Sequence, residues 1–162
     1  MVELDRTERE MILFLQEDGR MSFVDLAKRI GVTEGTIRRK FQRLVQEGII
    51  HIAAVSDPFQ IGFRTPALIG INVETHRHED VVKALCAMPR VRYVAAATGD
   101  FDILVEAYFA SNEELSRFLI EDLAAIDGIV DTATSLELRI FKQSFTWGIA
   151  GYRPERALAE KT

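Results

Sequence analysis

Between Ser22 and Gly48 the sequence alternates helix-starting and helix-ending residues, with apolar positions at a spacing that few folds accommodate. Ser22 can cap a helix from Phe23 to Ile30 that stops at Gly31, and Thr33 can cap a second from Glu34 to about Gln46 that stops at Gly48. Ala27 is small enough for two helices to cross, and Gly31 tolerates the positive φ of a tight turn. Leu26, Ile30, Val32, Ile37, Phe41 and Leu44 supply inward contacts. Ile37, Phe41 and Leu44 fall at i, i+4 and i+7, which commits one side of the second helix to the interior. The pattern predicts a helix-turn-helix.

Turning about 100° per residue from Ile37, the opposite side of that helix carries Gly35, Arg38, Arg39, Gln42, Arg43 and Gln46. Arginine bonds guanine or phosphate bidentately and glutamine pairs with adenine, so this side suits a DNA major groove. A solvated charged face is the plainer alternative. Gly35 lowers helix propensity by about 1 kcal/mol but leaves room for close approach to a DNA backbone. The net charge of −5 argues against nucleic acid only on average. Residues 1–50 hold nine Lys/Arg and nine Asp/Glu, whereas residues 51–162 hold eleven and sixteen. Lys28, Arg29, Arg38, Arg39, Lys40 and Arg43 therefore form a local basic face on a neutral segment.

Asp5 with Glu8 is a capping-box pattern that predicts an earlier helix, striped by Leu4, Met11, Ile12 and Leu15, with Gly19 placed to end it in the left-handed conformation. Ile49 to Val55 reads as a β-like wing, and Ser56-Asp57-Pro58 as a turn. Beyond it, Pro66 to Glu74 reads as a strand and His78 to Met88 as a helix ended by Pro89. Val91 to Thr98 and Ile103 to Phe109 form a hairpin across Gly99 to Asp102. Ser111 and Glu114 open a helix lined by Leu115, Phe118, Leu119, Leu123 and Ile126, and Ile129 to about Phe141 is the last strand. That order is ferredoxin-like.

The expected fold class is α+β. A winged helix-turn-helix occupies residues 1–56, a linker 57–64, a ferredoxin-like βαββαβ domain 65–142, and a tail 143–162. In the tail, Phe145, Trp147 and Tyr152 with Gly148 and Gly151 form an aromatic segment, followed by a polar helix candidate from Pro154 to Glu160. It is expected to pack on the sheet domain or on a neighbouring subunit.

No run approaches the ~18 apolar residues of a membrane span, and the charged N-terminus is no signal peptide, so a cytoplasmic protein is expected. The single cysteine, Cys86, reads as a small core residue. His76 and His78 flank Arg77, but Glu79 and Asp80 read as first-turn acids of a helix, not as metal ligands. No Ser/His/Asp set, phosphate loop or cysteine pair appears, so neither a catalytic nor a metal site is expected.

The run LDRTEREMILFLQEDGRMSFVDLAKRIGVTEGTIRRKFQRLVQEGII resembles the DNA-binding domain of the Lrp/AsnC, or feast/famine, regulators. The turn Asp57-Pro58 with Ile61-Gly62, the loop Thr98-Gly99-Asp100-Phe101-Asp102, and Gly128 to Thr134 resemble the family's linker, ligand loop and final-strand signature, so about residues 3 to 142 are covered. The resemblance implies double-stranded DNA as a partner, met by Thr33, Glu34, Gly35, Thr36, Arg38, Arg39, Gln42 and Arg43. It also implies a homodimer assembling to a tetramer or octamer, and an amino acid or related metabolite as effector rather than a cofactor. Thr98, Gly99, Asp100, Phe101, Asp102, Thr132 and Thr134 are the implied effector contacts, with Asp102 pairing a ligand amino group. Hairpin chemistry alone would also account for Gly99 and Asp100. Tyr93, Phe101 and Tyr108 hint at an apolar or aromatic effector.

An independent reason to expect assembly is that both faces of the sheet read as apolar. One set holds Ile69, Ile71, Val73, Ile103, Val105 and Ala107, the other Leu68, Val94, Ala96, Leu104, Tyr108, Leu136 and Leu138. A second apolar face predicts burial against a twofold mate. Two other functions share parts of this layout. A siroheme-decarboxylase-like enzyme lacks support, because the His- and Arg-rich context for a many-carboxylate tetrapyrrole is missing. An architectural DNA-binding protein without an effector is the third reading.

Overall fold

The structure is a computed structural model that describes residues 2–152. It divides into two compact units, Met1–Ala54 together with the segment from Lys142, and Val55–Phe141.

The first unit contains α1 (Arg6–Glu17), α2 (Phe23–Ile30) and α3 (Glu34–Gln46). Each begins on a side-chain cap. Asp5 accepts from the Glu8 N–H while Glu8 returns the bond to the Asp5 N–H, both at 3.0 Å. Ser22 caps α2 and Thr33 caps α3. Gly31 ends α2 with φ of 79°, the left-handed turn that the helix-turn-helix spacing requires. Met11, Ile12, Leu15, Leu26, Ala27, Ile37 and Leu44 form the buried core, joined at its edge by Phe23 and Phe41, whose rings lie 5.1 Å apart.

Two local expectations are corrected. Gly19 is not left-handed; α1 stops at Glu17, and Asp18, in extended backbone, closes it by donating to the Phe14 carbonyl. No wing strand forms over Ile49 to Val55. A strand needs a ladder partner, and the N–H groups of Ile49 and Ile50 are instead drawn back to the Leu44 carbonyl at the end of α3.

The second unit runs β1 (Thr65–Val73), a 3₁₀ turn (Thr75–Arg77), α4 (His78–Cys86), β2 (Val91–Ala96), β3 (Ile103–Phe109), α5 (Asn112–Arg117), a π-helical continuation (Phe118–Leu123) and β4 (Ile129–Leu136). The strands order as β2-β3-β1-β4 with every neighbouring pair antiparallel, the ferredoxin-like topology. Ile69, Ile71, Ile103, Val105 and Ala107 turn to the helix side and are buried with Val81, Leu85, Leu115, Phe118 and Leu123. The wider winding after Arg117 has a packing reason: Phe118 and Leu123 stand five apart, the spacing that a π turn brings to one side.

β4 ends at Leu136, short of the expected Phe141. Glu137 donates the last bond to the Pro66 carbonyl, where β1 itself begins and its partner runs out. α4 likewise stops at Cys86, before Pro89, and Cys86 is exposed rather than a core residue.

The facial assignment also changes in part. Val94 pairs with Val105 and Ala96 with Ile103, so both belong to the helix side. A register shift between Val91 and Tyr93 is the cause, since an extra residue inverts the alternation that follows it. Leu136 pairs with Ala67 on that same side, at the sheet's edge. The opposite face is formed by Tyr93, Leu104, Glu106, Tyr108 and Leu68, with Leu68 and Leu104 about half exposed.

Candidate nucleic-acid interface and effector region

On α3, the buried residues Ile37 and Leu44 fix which way the helix is rolled. Gly35, Arg38, Arg39 and Gln42 are consequently exposed, and Thr33 and Glu34 stand exposed at its N-terminus. Thr33 and Thr36 share a hydroxyl hydrogen bond of 2.9 Å, so the first turn is closed on itself. Arg38 is held on two sides: its Nη2 donates to Glu34 at 2.7 Å, and its guanidinium lies 5.2 Å from the centre of the Phe23 ring. Arg39 and Gln42 extend from the exposed side. A preset Arg38 beside exposed Arg39 and Gln42 is a donor-bearing ridge, and Lys28 and Arg29 on α2 add exposed charge.

Arg43 departs from the projected side. Its Nε lies 3.4 Å from Glu8 Oε1 and 3.4 Å from Glu47, and its Nη2 donates to the Glu3 carbonyl at 3.2 Å. Lys40 joins the same cluster, 3.6 Å from Glu8 and bonded to Asp5. The cause is Glu8, which is 1 % exposed because the capping box pulls it inward, so its charge draws the adjacent cations of α3 toward α1. Burial pushes the Asp5 carboxyl up, but hydrogen bonds from the Lys40 ammonium and the Glu8 N–H outweigh it and hold Asp5 below its ordinary value. Arg43 thus braces α3 against α1, a role that a helical wheel of α3 alone does not reveal.

In the second unit, the loop Thr98 to Asp102 begins β3 at one end of the central strand. Asp102 Oδ2 accepts the Val73 N–H at 2.9 Å, where the β1–β4 register slips, and the Asp102 N–H donates to the Ile71 carbonyl at 3.1 Å. One carboxylate oxygen therefore satisfies the backbone. Gly99 has φ of 121°, which explains glycine there, and Thr98, Asp100 and Asp102 are exposed. Thr132 pairs with Ile71 on the far side of β1, and Thr134 with Ile69. Thr132 and Asp102 thus flank the same end of β1 from its two neighbours, while Thr134 sits one pleat further along.

Phe101 is directed elsewhere. A Cβ on Gly70 would lie 2.4 Å from the Phe101 ring, so the ring occupies the notch that Gly70 leaves on the sheet's outer face. Tyr108, which donates to Glu106 at 2.7 Å, is covered by the Phe63 ring at 6.5 Å. Glu137 adds a second carboxylate nearby. Burial first, and the charge of Glu106 second, raise its pKa above the ordinary value. His76 lies 3.5 Å from Glu74, and among the described residues no three His, Cys, Asp or Glu side chains come together as a metal cluster. Among the same residues, no helix is long and apolar enough to cross a membrane.

A helix-turn-helix with an outward donor ridge, followed by a four-stranded domain whose outer face exposes Leu68, Tyr93 and Leu104, defines a DNA-binding transcriptional regulator. Residues 4–51 match the winged helix-turn-helix DNA-binding family model, and residues 66–147 match the Lrp/AsnC ligand-binding domain. An uncharacterised HTH-type transcriptional regulator of Pyrococcus horikoshii is 39% identical over 150 residues, 92% of each chain. Among solved structures, Escherichia coli AsnC superposes with a TM-score of 0.80 at 26% identity, over 88% of this chain and 97% of the other. A Neisseria meningitidis transcriptional regulator in complex with L-Met does so at 0.82 and 26%, over 90% and 96%. The chain belongs to the Lrp/AsnC family of transcriptional regulators. Its relatives are regulators and not enzymes, which sets aside the decarboxylase alternative.

Proposed function

We propose that this regulator binds pseudo-palindromic operators as a twofold dimer paired through the outer face of its sheet, and that an amino acid or closely related metabolite shifts its assembly or operator affinity. The observation that carries the reading is the pairing of two exposed surfaces with different chemistry. One is the Arg38, Arg39 and Gln42 ridge of α3, framed by Thr33, Glu34, Gly35 and Thr36 at its N-terminus. The other is the apolar sheet face bearing Leu68, Tyr93 and Leu104. An exposed apolar sheet face is costly in water unless a second surface covers it, and a twofold axis then presents two recognition helices to half-sites about one helical turn, or a multiple of it, apart. Further stacking to a tetramer or octamer follows the same family reading.

For the effector, Asp102 and Thr132 flank the same end of β1, with the loop Thr98, Gly99, Asp100 leading into Asp102 and Thr134 one pleat further along, while Phe101 is turned into the Gly70 notch. Asp102 keeps one oxygen for a ligand ammonium while the other holds Val73. The related Neisseria regulator was solved with L-Met, which supports an amino acid as the ligand class. A ligand favouring one assembly shifts operator affinity only by its differential binding to that assembly.

The test has two arms. Operators are selected from random duplexes, and the protein is then sedimented with each of the twenty amino acids, with and without the selected DNA. The expected result is a dimer or larger species, a preferred two-half-site sequence, and at least one amino acid that changes assembly or affinity. Binding with little sequence preference and strong salt dependence would instead mark an architectural protein. Asp102→Asn separates the two duties of that residue, since asparagine still accepts from Val73 but cannot pair an ammonium. Effector response should vanish while the fold persists.

A further inference from the structure

The segment after β4 does not follow the sheet it leaves; from Lys142 it belongs to the DNA-binding unit. Ile149 packs against the core of Met11, Leu15, Leu26 and Ile37. The Gly148 N–H donates to Gln16 Oε1 at 3.3 Å, the Tyr152 hydroxyl meets Glu10 Oε1 at 3.4 Å, and the Arg9 guanidinium lies 5.4 Å from the Tyr152 ring centre. Gly148 and Gly151, with φ of 67° and 73°, make the turns that bring Ile149 in and Tyr152 back, closed by a bond from the Tyr152 N–H to the Ile149 carbonyl. These partners all lie on α1 or in the core beneath it. Of the two expected places for the aromatic tail, the sheet domain or a neighbouring subunit, the first is corrected, since within the chain it packs on the DNA-binding unit; the polar helix candidate from Pro154 onward lies outside the described residues.

Connectivity gives this contact a consequence. The helix-turn-helix is joined to the sheet domain through residues 51–56, which form no helix or strand, and a docked tail joins it a second time. Six such residues, acting alone, span up to roughly 20 Å and fix no orientation, whereas residues 57–64 are already bonded into turns on the sheet domain. A second attachment removes much of that freedom, because both ends of the loop it closes are then held. The second path also starts on β4, the strand that carries Thr132 and Thr134.

We propose that residues 142–152 form a strap that clasps α1 and restrains the DNA-binding unit relative to the sheet domain, so that the docked state holds the two recognition helices of a dimer at a set spacing and strap release loosens it. This rests on the dimeric regulator reading above, and it adds the element through which events on β4 reach α1.

The sequence provides its own reporter, since the one tryptophan, Trp147, lies in the strap and is 86 % exposed. In the full-length protein without DNA or effector, time-resolved anisotropy of Trp147 should show, beside the fast local motion of an exposed indole, a slow component that follows the DNA-binding unit. Ile149→Asp should convert most of that amplitude to local motion and lower hydrogen-exchange protection of the last turn of α1 by about tenfold, with α2 and α3 unchanged. On selected operators, the wild type should bind at least about tenfold more weakly when one half-site is displaced by about half a helical turn, and Ile149→Asp should reduce that penalty to within about threefold. Tyr152→Ala, which leaves the core contact of Ile149 in place, should fall between the two and guards against general unfolding.

Hydrogen exchange at the Gly148 and Tyr152 N–H groups as fast in the wild type as in Ile149→Asp would overturn the docked strap. Unchanged half-site phasing after strap release would overturn the restraint while leaving the regulator reading intact. A wild type that shows no two-half-site preference at all would instead sink the dimeric reading on which the restraint depends.

Discussion

Replacing Glu8 by glutamine tests whether the cations of α3 are divided between two jobs. The wild-type carboxylate uses Oε2 for the Asp5 N–H and turns Oε1 toward Lys40 and Arg43 at 3.6 and 3.4 Å. Glutamine can keep the first contact and loses both charge contacts. Breaking a fully buried pair costs about 3–5 kcal/mol. Here Lys40 keeps Asp5, Arg43 keeps Glu47, and the Arg43 side chain is 41 % exposed. Solvent screening and the remaining partners reduce the expected loss to about 1–2 kcal/mol. Glu8→Ala also removes half of the capping box, about 0.5–2 kcal/mol more. Thermal unfolding by circular dichroism reads the difference at about 4–8 °C per kcal/mol for a unit of this size. The companion variants are Arg43→Ala, expected to lower stability, and Arg39→Ala, expected to lower DNA affinity while leaving the melting temperature in place. The reasoning fails if Glu8→Gln costs under about 0.5 kcal/mol and Arg43→Ala melts like the wild type yet binds DNA as poorly as Arg39→Ala.

Alanine at Arg38, Arg39 and Gln42 together should abolish preference for the selected operator, and each arginine lost from a phosphate should lower the salt-dependence slope by about 1 in titrations at several salt concentrations. Gly70→Ala should cost about 1–3 kcal/mol in urea unfolding, because the new Cβ meets the Phe101 ring at 2.4 Å and the ring must leave its notch. The pH responses of two carboxylates have opposite signs. Asp5, held below its ordinary value of 3.8, contributes stability that is complete above that pH and is lost as pH falls through the depressed folded value; Asp5→Asn should flatten this acid limb of a pH-melting series. Glu137, raised above 4.5, contributes stability present below that value and lost as pH rises through the folded one, so Glu137→Gln should raise the melting temperature at pH 7 and not at pH 4.

Where local chemistry decides an element, its residues are enough to name it. Asp5, Ser22, Thr33 and Ser111 cap the helices they were expected to cap, since a cap is a bond between residues three apart. Gly31 marks the turn for a similar reason. Distant partners decide the rest. Ile49 to Val55 has the composition of a strand and no ladder to join, β4 stops where β1 begins, and Val94 changes face because the bulge at Arg92 shifts the alternation by one. The same division runs through the site. Arg38, Arg39 and Gln42 are exposed as the period of α3 dictates, but Arg43 is claimed by a buried carboxylate on α1, and Phe101 by the space that Gly70 leaves on a neighbouring strand.

That division separates two kinds of surface on one recognition helix. At Arg39 and Gln42 the exposed side can vary with the operator, because among the described residues these two side chains bond nothing inside the unit. The braced side cannot, because Lys40 and Arg43 neutralise a carboxylate that the α1 capping box has already buried. Substitutions at Gln42 or Arg39 should therefore redirect operator choice at little cost in stability, whereas substitutions at Arg43 should first appear as a loosened α1. The strap from Ile149 to Tyr152 docks on that same helix, so the brace and the strap meet on α1 from opposite ends of the chain. A change that loosens one should weaken the other, and combining Arg43→Ala with Tyr152→Ala should destabilise the unit by an amount different from the sum of the two single changes.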